Sequence, residues 1–243
     1  MSAQGEERLL DVRQVTKRFG GFTALDNVSL HVNKGERFGL IGPNGSGKTT
    51  MINCISGALI NDGGEILFKG ETMAGRKPHE RTRLGIARSF QIPKPFGSMT
   101  VMENLCIPLE YVTGTPSDRL RDRAMEILEG IGLADRAESN SGSLTQIDMR
   151  KLELARAMAA EPDLLISDEA MAGLSSAEVD DILEILFGLN QRGITIIMIE
   201  HIMRAVMRFS ERIVVLDAGK KIADGLPQDV VNNPEVERAY LGE

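Results

Sequence analysis

The sequence predicts an α/β fold in which a core sheet carries a phosphate-binding loop, joined by an antiparallel β subdomain and an inserted α-helical subdomain. Three observations predict it. Gly42-Pro43-Asn44-Gly45-Ser46-Gly47-Lys48-Thr49-Thr50 fits G-x-x-x-x-G-K-S/T at every fixed position. It lies between Phe38-Gly39-Leu40-Ile41, which reads as a buried strand, and Thr49 to Leu59, which reads as a helix. Further on, Asp163 to Glu169 reads as an apolar strand, and Ile194 to Ile199 as a strand buried on both faces, as in a parallel sheet. From Thr100 to about Ala160 the apolar period changes from about two residues to about 3.6.

The 243 residues suffice for a full hydrophobic core. Lys and Arg total 28 against 35 Asp and Glu, a net charge of −7, which argues against a broad nucleic-acid footprint. The two cysteines, Cys54 and Cys106, the lack of a signal-like N-terminus and of any apolar run of membrane-spanning length point to the cytosol. Cys54 is expected in a core.

Residues 1 to 8 are polar and read as frayed. A strand follows from Leu9 to Phe19, Gly20-Gly21 reads as a turn, and a second strand runs from Phe22 to Val32. Phe19, at a strand end, serves either as a packing residue or as a stacking surface for a nucleotide base. In the phosphate-binding loop, glycines bring bare backbone N–H groups to an anion at a helix N-terminus. Lys48 adds a point charge, and Thr49 offers a hydroxyl to Mg²⁺.

Asn61-Asp62-Gly63-Gly64 reads as a turn and Glu65 to Lys69 as a half-buried strand. The basic residues Arg76, Lys77, Arg81, Arg83 and Arg88 read as a solvated helix face. Gly85 to Phe90 reads as another strand, delivering Gln91 into a loop where Pro93 and Pro95 forbid regular structure. In the helical region, Leu120, Ala124, Ile127, Leu128 and Ile131 share one face. A further helix is expected from about Met149 to Ala160, its N-terminus a second candidate anion site.

Asp163 to Glu169 is a strand ending in two carboxylates. Beside a phosphate loop, Asp168 is placed to hold Mg²⁺ through its water shell and Glu169 to polarise an attacking water. Ser175 and Glu178 satisfy S-x-x-E before the apolar set Val179, Ile182, Leu183, Leu186 and Leu189, a helix start. His201 follows a strand at the edge where α/β sheets bind ligands. Arg212 to Gly225 reads as a closing hairpin and Pro227 to Leu241 as one or two short helices. The nucleotide-binding core is expected over 1–90 and 160–243, the helical subdomain over 91–159.

Together and in this order, these residues resemble the ATP-binding subunits of ABC transporters over nearly the whole chain. The resemblance implies a P-loop NTPase (RecA-like) core that binds ATP with Mg²⁺. Phe19 would stack on the base and Gly42 to Thr50 form the Walker A motif. Thr49, Gln91 and Asp168 would attend the metal, while Lys48, Gln91, Glu169 and His201 act in hydrolysis. The helical subdomain would face transmembrane permease subunits at the cytoplasmic side of the membrane, with an extracellular solute-binding protein acting indirectly and no nucleic acid involved. The spellings Lys17 to Gly21, Gly85 to Gln91, Asp168 to Leu174 and Ala239-Tyr240-Leu241-Gly242 resemble the branched-chain amino acid importer type. A soluble family member acting on nucleic acid or ribosomes is the rival reading. A second rival is a P-loop GTPase or kinase; a GTPase would need an N-K-x-D base reader after the phosphate loop, whereas Asn33-Lys34-Gly35-Glu36 precedes it and lacks the Asp.

Two positions depart from the family pattern. Its LSGGQ signature falls on Leu144-Thr145-Gln146-Ile147-Asp148, with both glycines replaced, and Ser175 stands where an Asp or Asn begins the cross-dimer contact. Ile147 is expected to obstruct the approach of a partner-bound γ-phosphate. A second ATP-binding subunit with an intact signature is therefore favoured as partner over a second copy of this chain.

Overall fold

The computed structural model describes residues 7–90 and 94–241, so Gln91, expected beside the metal, lies outside the described residues, as do residues 1–6 of the frayed segment. Strand β1 (Arg8–Phe19) takes in Arg8 and pairs antiparallel with β2 (Phe22–Asn33). Two more strands, β4 (Gly63–Phe68) and β5 (Glu71–Thr72), extend this sheet in the order β2-β1-β4-β5. The turn expected at Asn61 to Gly64 is shorter than that, because Gly63 and Gly64 already belong to β4 and Gly63 pairs with Thr16.

The second sheet holds β3 (Arg37–Ile41), β6 (Ile86–Ser89), β7 (Leu164–Asp168), β8 (Thr195–Ile199), β9 (Arg212–Asp217) and β10 (Lys220–Gly225) in the order β10-β9-β3-β8-β7-β6. Its strands are parallel except β10, which forms the expected hairpin with β9. Alternate residues of these strands enter two different cores. Leu40, Ile166, Ile197, Ile199 and Leu216 pack with the antiparallel sheet and with Met51, Ile52 and Cys54. Ile41, Leu165, Ile196, Met198 and Val215 pack with the helices on the opposite face. Burial on both faces is why the strands read as continuous apolar runs rather than alternating ones.

Helix α1 (Lys48–Ser56) leaves the phosphate loop and stops short of the expected Leu59, because Gly57 turns left-handed with φ 83°. After α2 (Pro78–Arg83), three helices lie between β6 and β7: α3 (Val101–Tyr111), α4 (Leu120–Ile131) and α5 (Gln146–Met158). Ala124, Leu128 and Ile131 of α4 are buried, with Leu120 and Ile127 packed beside them. Helix α5 begins three residues before the expected Met149, since the Thr145 side chain accepts the Asp148 N–H and caps it. Helix α6 (Ser176–Gln191) starts from the Ser175–Glu178 capping box and buries Val179, Ile182, Leu183, Leu186 and Leu189. Then follow α7 (Met203–Phe209), α8 (Pro227–Val231) and α9 (Pro234–Leu241).

The basic segment is a solvated face only in part: Arg76, Lys77 and Arg83 are exposed, but Arg81 and Arg88 are turned inward. Arg88 lies in strand β6, and Arg81 is 5% exposed, turned inward to close the end of α1. Its guanidinium donates to Cys54 O at 2.6 Å, Ile55 O at 2.8 Å, Met73 O at 2.8 Å and Arg76 O at 3.1 Å. Carbonyls in the last turn of a helix have no partner within it, and Arg81 supplies one while countering the negative end of the helix dipole. We expect Arg81→Met to lower unfolding free energy by about 3 kcal/mol in urea denaturation, since several buried acceptors are left unpaired together. A loss below about 1 kcal/mol would contradict this role.

Candidate nucleotide-binding site

The phosphate loop leaves β3 at the carboxyl edge of the parallel sheet. At Gly47, φ is 106° and an added Cβ would lie 2.7 Å from Ala24 O, so glycine is the residue that fits between loop and β2. At Gly45, φ is 81° and the space in front is open, leaving backbone accessible to a ligand. No side chain caps α1 and no acidic residue sits in its first turn, so its N-terminal dipole faces outward unneutralised. Lys48 is 6% exposed, and its ammonium donates to Gly42 O at 2.8 Å and Pro43 O at 2.9 Å. Burial lowers its pKa, against the opposing pull of the Glu169 and Asp168 carboxylates. The loop thus presents a desolvated cation, exposed backbone and the exposed Thr49 on one cradle, and this fits a polyphosphate.

Strand order supplies the rest. β8 lies beside β3 and β7 beside β8, so the residues following each strand end up near the loop. Asp168, the last residue of β7, is 6% exposed. Glu169 turns sharply away with φ 49°, a left-handed conformation uncommon for a side-chain-bearing residue, and its N–H is tied to Ile199 O at 2.9 Å. The turn places Glu169 Oε1 at 2.9 Å from Nε2 of His201, which follows β8. Thr49 and Asp168 are hard oxygen donors, few in number, as suits Mg²⁺, which keeps water and phosphate oxygens in its shell.

Phe19 is 47% exposed at the end of β1, with the Lys17 ammonium 5.4 Å from its ring centroid; it is not a buried packing residue. The signature segment sits at the start of α5. There Ile147 is half-buried against the helical core. The Thr145 hydroxyl caps this helix by accepting the Asp148 N–H, and it donates to the Asp148 carboxylate at 2.8 Å, which sets a negative charge in the first turn. The one hydroxyl kept from the signature is committed to a carboxylate inside the first turn. Gln146 Nε2 reaches Ala172 O at 3.4 Å, and Arg150 donates to the same oxygen at 3.1 Å, fastening this helix to the loop after Glu169.

Sequence reasoning passes over Glu200. It ends the apolar run before His201, 3% exposed, and accepts the Met171 N–H at 2.9 Å. An acidic residue closing a strand buried on both faces is the available signal. Burial pushes its pKa up to about 7, with the Met171 N–H resisting and the Glu169 charge assisting the rise; His201 and Arg150 also adjoin it. In the unfolded chain this carboxyl ionises near 4.5. Protein stability should therefore fall as pH climbs from about 4.5 to about 7 and then level off, since the unfolded state releases its proton first. We expect Glu200→Gln to remove this component, its advantage over wild type growing with pH to at most about 3 kcal/mol. A pH-independent difference in denaturation free energy would contradict it.

Fold and site together define a P-loop NTPase, an α/β protein built to hold a nucleoside polyphosphate at the carboxyl edge of its sheet. Known proteins make this specific. Residues 25–172 match the ABC transporter family and residues 220–243 match the branched-chain amino acid ATP-binding cassette transporter family. The chain is 41% identical to the high-affinity branched-chain amino acid transport ATP-binding protein LivG of Escherichia coli (strain K12), over 97% of this chain and 98% of that one. A nucleotide-free ATP-binding cassette from an ABC transporter superposes with a TM-score of 0.88 at 33% identity, over 97% of this chain and all of the other. A dimeric post-hydrolysis cassette bound to ADP and phosphate gives a TM-score of 0.80 at 28% identity, over 90% of this chain and 98% of that one. The chain belongs to the ABC transporter family, as one of its ATP-binding cassettes.

Proposed function

We propose that this chain is the ATP-binding and ATP-hydrolysing subunit of an importer for branched-chain amino acids or similar small polar solutes. The observation that carries the reading is the meeting of Lys48, Asp168 and the Glu169–His201 pair at one sheet edge, in a chain so similar to LivG. Lys48 and the loop N–H groups hold the β- and γ-phosphates, and Phe19 stacks on the base. Thr49 and Asp168 would hold Mg²⁺, which when bound would supply neutralisation of the phosphate charge. Glu169 accepts a hydrogen bond from the attacking water and draws its proton, while His201, fixed on Glu169 Oε1, orients that carboxylate and faces the γ-phosphate. Gln91 links this site to the transporter interface.

The helices of 91–159 form the subdomain that meets the permease subunits, and the protein sits peripherally on the cytoplasmic face of the membrane. Among the described residues no helix is long and apolar enough to cross a membrane, so the pathway belongs to those partners. A solute-binding protein outside the membrane selects the solute. The net charge of −7 suits this reading better than a partner made of nucleic acid.

Two such cassettes close on ATP between them and reopen after hydrolysis. With the Thr145 hydroxyl capping the Asp148 N–H and the Asp148 carboxylate adding a negative charge in the first turn, the start of α5 is a poor receptor for a second subunit's γ-phosphate. The favoured partner is a different ATP-binding subunit whose intact signature completes the site on Gly42 to Thr50. Glu169→Gln is expected to bind ATP as wild type does and to hydrolyse it at least about a hundredfold more slowly in the assembled transporter. Near-normal turnover would overturn the role of Glu169.

A further inference from the structure

The Asp168 carboxylate has a resident partner. Arg88 of β6 donates through one guanidinium nitrogen to Asp168 Oδ2 at 2.5 Å and through another to Asn53 Oδ1 of α1 at 2.7 Å. The pair is nearly enclosed, its side chains 12% and 9% exposed. Arg88 Nε is buried without a hydrogen-bond partner, and the guanidinium lies 5.1 Å from the Phe90 ring centroid.

Strand register dictates the pairing. Arg88 stands opposite Ile166, and Asp168 is two residues further along β7, so both side chains share the sheet face that packs on α1. There Asn53 takes the second arm of the guanidinium and holds it flat beside the carboxylate. A carboxylate this enclosed is costly without a cation. A divalent ion drawing on Asp168 and a guanidinium bonded to it repel each other, and they compete for the same oxygen.

We infer that Arg88 is the built-in counter-cation of Asp168, which steadies this carboxylate when no metal is bound and sets the metal concentration at which it yields. The inference rests on the reading of Asp168 as a metal-holding residue. Arg88 is on this account a positioning residue, acting on the metal through Asp168. It makes nucleotide binding depend more steeply on free Mg²⁺ than the cradle alone would, so that metal and nucleotide arrive together. The Asn53 contact makes the arginine's position part of α1, the helix that also carries the phosphate loop.

The test is Mn²⁺ binding, followed by the loss of the free-ion electron paramagnetic resonance signal, to the full chain with saturating ADP, where no turnover intervenes. Arg88→Gln should lower the half-saturating Mn²⁺ concentration about tenfold, as expected when one charge-assisted competitor is removed. Arg88→Lys, which keeps the charge, should stay near wild type. Asp168→Asn alone should weaken Mn²⁺ binding, and in that background Arg88→Gln should bring no gain. Without nucleotide or metal, Arg88→Gln should melt below wild type, and added Mg²⁺ should close most of that gap; a purely structural arginine would leave it open. Asn53→Ala, a milder change, should shift Mn²⁺ binding in the same direction to a smaller extent, which keeps the question answerable if Arg88→Gln does not fold. Unchanged Mn²⁺ affinity in Arg88→Gln, or in Asn53→Ala where Arg88→Gln does not fold, or a gain that persists in the Asp168→Asn background, would overturn the inference. If Asp168→Asn itself leaves Mn²⁺ binding unaltered, the metal role of Asp168 falls, and the inference with it.

Discussion

Two carboxylates leave the end of β7 at the buried edge of the parallel sheet, and each is met by a group from a neighbouring strand. Arg88 comes from β6 to Asp168, and His201 follows β8 to Glu169. Lys48, from beyond β3, feels both. This balance of enclosed charge constrains much else: the parallel order of β3, β8, β7 and β6, the left-handed turn at Glu169, and the apolar residues that cover both sheet faces. In so desolvated a setting each charge is held by a defined partner or costs stability. The same setting lets those groups act strongly on a phosphate.

Where the chemistry is local in sequence, it is legible there. The phosphate loop, the strand ending at Asp168 and Glu169, and the Ser175–Glu178 capping box are each written in consecutive residues, and the structure forms each where the pattern predicts. His201 is legible from its position after an apolar strand, though its contact with Glu169 depends on β7 and β8 being neighbours, which no local pattern states.

What the sequence hides are groups defined by tertiary partners. Arg81 and Arg88 look alike as members of a basic run, yet one closes the last turn of α1 and the other pairs with Asp168. A hint is present: Arg88 sits inside an apolar strand pattern, where an arginine needs an acidic partner. In sequence Asp148 is only a departure from a glycine-bearing motif, and its pairing with the capping hydroxyl of Thr145 emerges because α5 begins at Gln146 rather than Met149. Ile147 packs half-buried against its own core, a contact that the sequence pattern does not state.

The start of α5 carries the proposal that this cassette completes its site with a different subunit rather than with itself. The Thr145 hydroxyl takes one N–H of the helix N-terminus and the Asp148 carboxylate adds a negative charge there; on our proposal a second copy therefore offers little to the γ-phosphate held by the first. Light scattering after size exclusion on purified Glu169→Gln, with and without Mg-ATP, measures this most directly. A monomer is expected in both conditions, with ATP bound in the second. A dimer appearing only with ATP would contradict it and show that Leu144 to Asp148 still receives a phosphate.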